Sequence, residues 1–114
     1  MGAVRVASFA EIEPGGVRTV PAGTPELTAA GITDAVTVFR DGDGVFALDD
    51  TCSHARASLA EGYVEDGCVE CPLHGALFRL SDGAPLSLPA TRPARTHRVE
   101  VVDGVVWLHP GEPA

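Results

Sequence analysis

The sequence predicts an all-β fold, an antiparallel sandwich or barrel of hairpins, and three observations carry that reading. Of the 114 residues, 13 are Gly and 9 are Pro, spread along the whole chain, a density of chain-bending residues that favours short strands joined by turns. The hydrophobic pattern is mostly two-residue alternation or short apolar runs rather than a 3.6-residue period. Asp-Gly steps recur between apolar segments, and Asp-Gly between two such segments is a strong hairpin signal.

In chain order, Val4 to Ser8 and Val17 to Val20 read as strands, and Thr24 to Thr33 has room for a short turn of helix. Val36 to Arg40 and Val45 to Leu48 flank Asp41-Gly42-Asp43-Gly44, which predicts a hairpin whose acidic run, Asp41 to Asp50, is its tip. Ala76 to Leu80 is a strand followed by a turn at Ser81-Asp82-Gly83, and Arg98 to Val102 and Val105 to His109 flank Asp103-Gly104. Three such hairpins imply an antiparallel sandwich or barrel. Between the first and last lies Thr51 to Pro93, where Cys, His, Gly and Pro concentrate and alternation fades.

Length and composition bound the function. A chain of 114 residues supports one core, hence one domain. Apolar content of 45% with 21% charged residues excludes a disordered tail and a membrane bundle. The eight basic residues are all arginine against 16 acids, for a net charge of -8, which argues against a nucleic-acid partner and for partners with basic patches. Acidic self-repulsion makes a monomer the expectation. The first twenty residues hold neither a secretory apolar region nor an apolar run long enough for an anchor, so no membrane association and a cytoplasmic location are expected.

The informative residues are Cys52-Ser53-His54 and Cys71-Pro72-Leu73-His74, a C-x-H pair and a C-x2-H pair separated by the segment Ala55 to Glu70. Two thiolates and two imidazoles from two loops permit zinc or iron. Zinc modules usually pair like with like, whereas here each pair is mixed. A mixed pair on each loop suits a binuclear cluster in which each loop hands one ligand to each metal. Cys68 is the odd cysteine; Cys68 and Cys71 stand three apart in a predicted strand, so they point to opposite faces and Cys68 is read as a plain strand residue. His97 and His109 are read as strand or surface residues, and Trp107 as core. Arg56 and Arg79 flank the loops, as partner contacts or as solvated arginines paired with nearby acids.

With these residues in place, the chain resembles a Rieske 2Fe-2S protein, in particular the ferredoxin components of bacterial ring-hydroxylating oxygenases. Beyond the four ligands the likeness includes Ser58-Leu59-Ala60-Glu61-Gly62, Val69-Glu70, Gly75, Phe78, Pro89-Ala90 and Pro93. The resemblance implies a Rieske-type antiparallel sandwich with a small cluster-binding subdomain at about 51–93. It implies Cys52 and Cys71 on the buried iron, His54 and His74 on the outer iron, and Leu88 to Pro93 as a proline loop over the cluster. It also implies a one-electron carrier rather than an enzyme, taking electrons from a flavin-dependent, NAD(P)H-oxidising ferredoxin reductase and delivering them to the Rieske centre of a terminal oxygenase. Aromatic hydrocarbons and heterocycles are that family's commonest final substrates.

Such a ligand set has an electrostatic consequence. Two ferric ions, two sulfides, two thiolates and two neutral imidazoles cancel, so the reduced cluster carries a single negative charge, and its potential lies above that of a four-cysteine cluster. The high-potential Rieske proteins of respiratory complexes carry a disulfide and two hydrogen-bonding hydroxyls where this chain has Ala57, Leu73, Ala76 and Phe78. Their absence predicts the low-potential class. No Ser-His-Asp set, phosphate loop or spare 2-His-1-carboxylate set is present to make the chain an enzyme. Two alternatives stay open at this stage: the small Rieske-like subunit of an assimilatory nitrite reductase, and a zinc-stabilised protein-binding module.

Overall fold

The computed structural model describes residues 2–52, 57–72, 75–87 and 92–113. Among the described residues nine strands form two antiparallel sheets. Six of them, β1 (Val4–Ser8), β2 (Val17–Val20), β3 (Val36–Asp41), β4 (Gly44–Asp49), β8 (Thr96–Val102) and β9 (Val105–His109), make one sheet in the order β1-β9-β8-β4-β3-β2. The other three, β5 (Tyr63–Glu65), β6 (Cys68–Glu70) and β7 (Leu77–Arg79), make a small sheet in sequence order between β4 and β8.

The turns follow from local backbone demands. Asp103-Gly104 joins β8 to β9 with φ of 50° and 76°, the double left-handed geometry of a type I′ turn, and Val102 pairs with Val105 across it. Asp66-Gly67 joins β5 to β6 in the same way, at 53° and 76°. This hairpin was not expected from the sequence, because its strands are only three residues long and carry little alternation. At the β3–β4 tip, Asp41 pairs with Gly44, so the turn residues are Gly42 and Asp43, with Gly42 alone at positive φ, 60°. It is therefore a Gly-first turn of the II′ kind rather than an Asp-Gly one. Ser81-Asp82-Gly83 does not open a hairpin of two strands; after it the chain returns to β7 through a single bridge, Phe78 to Pro85.

The short helix expected within Thr24 to Thr33 is α1 (Pro25–Ala29), with Pro at its first turn. It ends in a Schellman motif: Ile32 N–H donates to Leu27 O at 2.9 Å and Gly31 N–H to Thr28 O at 3.0 Å, with Gly31 at φ 77°. That closure turns Leu27 and Ile32 into the core together.

Two apolar cores lie on either side of the β3–β4 hairpin. One holds Leu27, Ile32, Val36, Val38, Ala47, Val106 and Leu108; the other holds Phe39, Leu48, Leu59, Val69, Phe78 and Leu80, with Cys52 and Cys71 among them. Val36, Thr37, Val38 and Phe39 are consequently all fully buried, a strand covered on both faces. Trp107, expected in the core, is only half-buried: Val106 and Leu108 take the inward positions of β9, so alternation turns Trp107 outward, opposite Arg5 and Glu100.

Gly83 has φ of 73°, and a side-chain carbon there would stand 2.0 Å from the carbonyl oxygen of Ala94, whose own N–H donates to Gly83 O at 2.8 Å. This clasp closes the segment 84–93. Gly83→Ala must break both the conformation and the approach; a loss of about 2 kcal/mol or more is expected, read as a lowered denaturant midpoint.

Candidate metal centre

Both cysteine pairs begin where a strand ends. After β4, Thr51 forms an isolated bridge with Ser58, and Cys52 N–H donates to Ala57 O at 2.8 Å. After β6, Cys71 N–H donates to Ala76 O at 2.7 Å. Each cysteine thus opens a loop closed by the same bond, from its own amide to the carbonyl five residues on. Cys52 and Cys71 are 3% and 0% exposed and pack into one apolar core with Leu59, Val69, Ala76 and Phe78. His54 and His74 fall within these two loops in sequence but outside the described residues, as do Arg56, Leu73 and Leu88 to Thr91.

The motif around the first pair has physical reasons. Leu59 to Glu61 form a 3-10 turn that buries Leu59 completely. Gly62 then runs against β6: a side-chain carbon on it would lie 2.0 Å from Glu70 O, so only glycine fits. Beyond the second pair, Leu77 N–H donates to Ser87 Oγ at 3.0 Å and Leu77 O accepts from Leu86 N–H at 2.8 Å. These bonds lay the start of the 84–93 segment along β7.

The donor chemistry fits an iron–sulfur group. Two cysteines from separate loops are buried in one apolar core, and cysteine thiolates are the ligands that hold iron–sulfur clusters. Among the described residues no three His, Cys, Asp or Glu side chains form a metal-binding group. The remaining described candidates are otherwise engaged. His97 is buried, with Nδ1 accepting from Gly111 N–H at 3.0 Å, so that Nε2 carries the proton and donates to Asp49 Oδ1 at 2.6 Å. His109 is half-buried, with Nε2 3.1 Å from Glu100 Oε1. Arg79 pairs with Asp82 at 3.1 Å. Cys68 lies between Glu65 and Arg79 in cross-strand register, on the face of β6 opposite to fully buried Val69.

Sequence reasoning missed the carboxylates that brace the first loop. Asp34 accepts from Thr51 N–H at 2.9 Å and from its hydroxyl at 3.0 Å. Asp50 Oδ1 accepts from Thr37 Oγ1 at 2.7 Å, Ser58 Oγ at 3.0 Å and Ala60 N–H at 3.1 Å. The acidic run Asp41 to Asp50 is therefore not a mere tip: Asp41 receives Gly67 N–H from the small sheet, and Asp49 and Asp50 bond inward. A signal existed in the lone polar residue of Val36-Thr37-Val38-Phe39, which a buried strand keeps only with a partner.

Two antiparallel sheets with paired, identically closed Cys/His loops at the junction define the class of small all-β iron–sulfur electron-transfer domains. The chain belongs to the Rieske [2Fe-2S] domain family, whose profile matches residues 4–102, and it accordingly carries one Rieske-type 2Fe-2S cluster. It is 45% identical over 106 residues to the anthranilate 1,2-dioxygenase ferredoxin subunit of Burkholderia cepacia, covering 92% of this chain and 97% of that one. It is 41% identical to the 3-phenylpropionate/cinnamic acid dioxygenase ferredoxin subunit of Photorhabdus laumondii, covering 95% and 94%. Among solved structures, a complex of reduced oxygenase and oxidized ferredoxin in carbazole 1,9a-dioxygenase matches with a TM-score of 0.84 and 34% identity, over 98% of this chain and 95% of the matched one.

The outward position of Cys68 gives a direct check. Cys68→Ser is expected to leave the visible and paramagnetic-resonance spectra of the cluster unchanged, whereas Cys71→Ser, which replaces a fully buried sulfur by a hydroxyl, is expected to abolish or strongly shift both.

Proposed function

We propose that this chain is a cytoplasmic, monomeric one-electron carrier, the ferredoxin component of a ring-hydroxylating dioxygenase system, and not itself a catalyst. It would accept electrons from a flavin-dependent, NAD(P)H-oxidising reductase and deliver them to the Rieske centre of a terminal oxygenase. One observation carries the reading: two loops of identical closure bury Cys52 and Cys71 in one apolar core while each places a histidine in sequence beside its cysteine. The relatives' ferredoxin names, and the ferredoxin and oxygenase paired in the matched structure, support it. Among the described residues no helix is long and apolar enough to cross a membrane.

In this reading residues 1–114 are a single domain with its cluster-binding part at about 51–93. Cys52 and Cys71 hold the inner iron, and His54 and His74 hold the outer one. When bound, the cluster takes up and returns one electron. The chain's own part is to keep water from the sulfurs, which Leu59, Val69 and Phe78 do as fully buried neighbours, and to set the potential. Ala76 and Phe78 are fully buried and Ala57 is packed against the same core, and none of the three brings a hydroxyl or thiol to the site. With these side chains the reading is of the low-potential class.

A redox titration followed by electron paramagnetic resonance tests this. A histidine-ligated 2Fe-2S signal is expected, with a midpoint towards the lower end of the span of about -150 to +300 mV. A high midpoint would overturn the assignment made from Ala57, Leu73, Ala76 and Phe78, and colourless, zinc-containing protein would overturn the carrier itself. His74→Ala is expected to lose the native spectrum; its retention would remove His74 from the ligand set. Reconstitution with a reductase and an oxygenase from the same host should give turnover that depends on this chain.

A further inference from the structure

The residue that joins the candidate centre to the six-stranded sheet is Asp50, two positions before Cys52. Its backbone N–H donates to Ala35 O at 2.9 Å, and its carbonyl accepts Leu59 N–H at 2.7 Å. Its carboxylate oxygen Oδ1 accepts from Thr37 Oγ1, Ser58 Oγ and Ala60 N–H. The direction of the chain is fixed by proton counting. Thr37 Oγ1 donates to Asp50 Oδ1, which uses its single hydroxyl proton, so Thr37 Oγ1 must accept from Thr19 Oγ1, 3.0 Å away. Thr37 is fully buried, so its hydroxyl has no water to fall back on.

A continuous relay thus runs from β2 through β3 to one oxygen, and from that oxygen to both a side chain and an amide at the far end of the first ligand loop. Asp34 holds the near end through Thr51. We infer that Asp50 is a positioning residue for the Cys52 loop: its carboxylate locks the base of that loop in register with the six-stranded sheet, and the tightness with which the cluster is held depends on the Thr19–Thr37–Asp50 relay. Three bonds converge on one oxygen, and losing that acceptor strands a buried hydroxyl as well as freeing the loop. The inference rests on the cluster-binding reading above.

The experiment uses the loaded full-length protein and measures the rate of cluster loss to an iron chelator, well below the unfolding temperature, beside the thermal midpoint. Asp50→Ala removes the acceptor, Asp50→Asn keeps an oxygen in its place, and Thr37→Val cuts the relay without touching the loop. Val20→Ala, in the other core, serves as a control for general destabilisation. Cluster loss is expected to quicken about tenfold or more in Asp50→Ala and several-fold in Thr37→Val, with Asp50→Asn nearer the parent and Val20→Ala at the parent rate. Broadening of the reduced resonance signal in Asp50→Ala would accompany the faster loss. Rates in Asp50→Ala no higher than in Val20→Ala overturn the inference. Should Asp50→Ala fail to fold, Thr37→Val decides alone, and loss at the parent rate overturns it. A parent protein without the 2Fe-2S signal rejects the cluster reading, whereas a normal parent with unaffected variants rejects only the role of Asp50.

Discussion

The structure depends on a hairpin that has no solvent face over much of its length. Four successive residues of β3 are fully buried, with Val36 and Val38 on one side and Phe39 on the other, and β4 repeats the division with Ala47 and Leu48. A strand in this position cannot use alternation to shed polar atoms, since both directions lead into apolar packing. Thr37 is therefore obliged to find partners, and it finds Thr19 on β2 and Asp50 just before the chain's Cys/His region. The same constraint that joins the two cores also supplies the polar bridge between them.

The exposed charges, unlike the inward-bonded Asp34, Asp49 and Asp50, bear on redox chemistry more than on the fold. The ion pairs of Arg79 with Asp82 and of Arg98 with Glu100 and Glu112 are exposed and contribute little stability. Glu61, Glu65, Asp66 and Glu70 sit on or beside the small sheet. A surplus of fixed negative charge there opposes the addition of an electron to a nearby centre, and it favours encounter with positively charged surfaces at low salt.

Much of this was legible in the sequence because it was local. Val4-Arg5-Val6 alternates, three of the four residues of Val17–Val20 are β-branched, and Asp103-Gly104 announces its own turn. The Cys/His pairs were equally plain, since their chemistry survives without coordinates. Less legible were elements whose cause lies elsewhere in the chain. β5 and β6 are too short for periodicity and exist because Val64 and Val69 pack on a core supplied partly by β3 and β4. Trp107 looked like core by size, but register gave the inside of β9 to its neighbours. Asp50 looked like one acid in an exposed run; its role needs Thr37, Ser58 and Ala60 to be brought together, and no spacing rule relates those positions.

The small sheet leaves and rejoins the large one at a single place. Asp49 N–H donates to Arg95 O at 2.9 Å, next to the two residue pairs that join β4 to β8. Everything from Asp50 to Ala94 is thus a closed excursion whose ends are hydrogen-bonded neighbours. The cost of closing such an excursion grows only with the logarithm of its length, each doubling adding about 0.6 kcal/mol. Insertions or deletions at turns of the excursion that make no bond to the large sheet therefore place almost no tension on it, whereas the Asp66-Gly67 turn is tied to Asp41. The architecture separates a frame that must keep its length from an appendage free to vary its reach, so recognition can diverge while the frame stays the same.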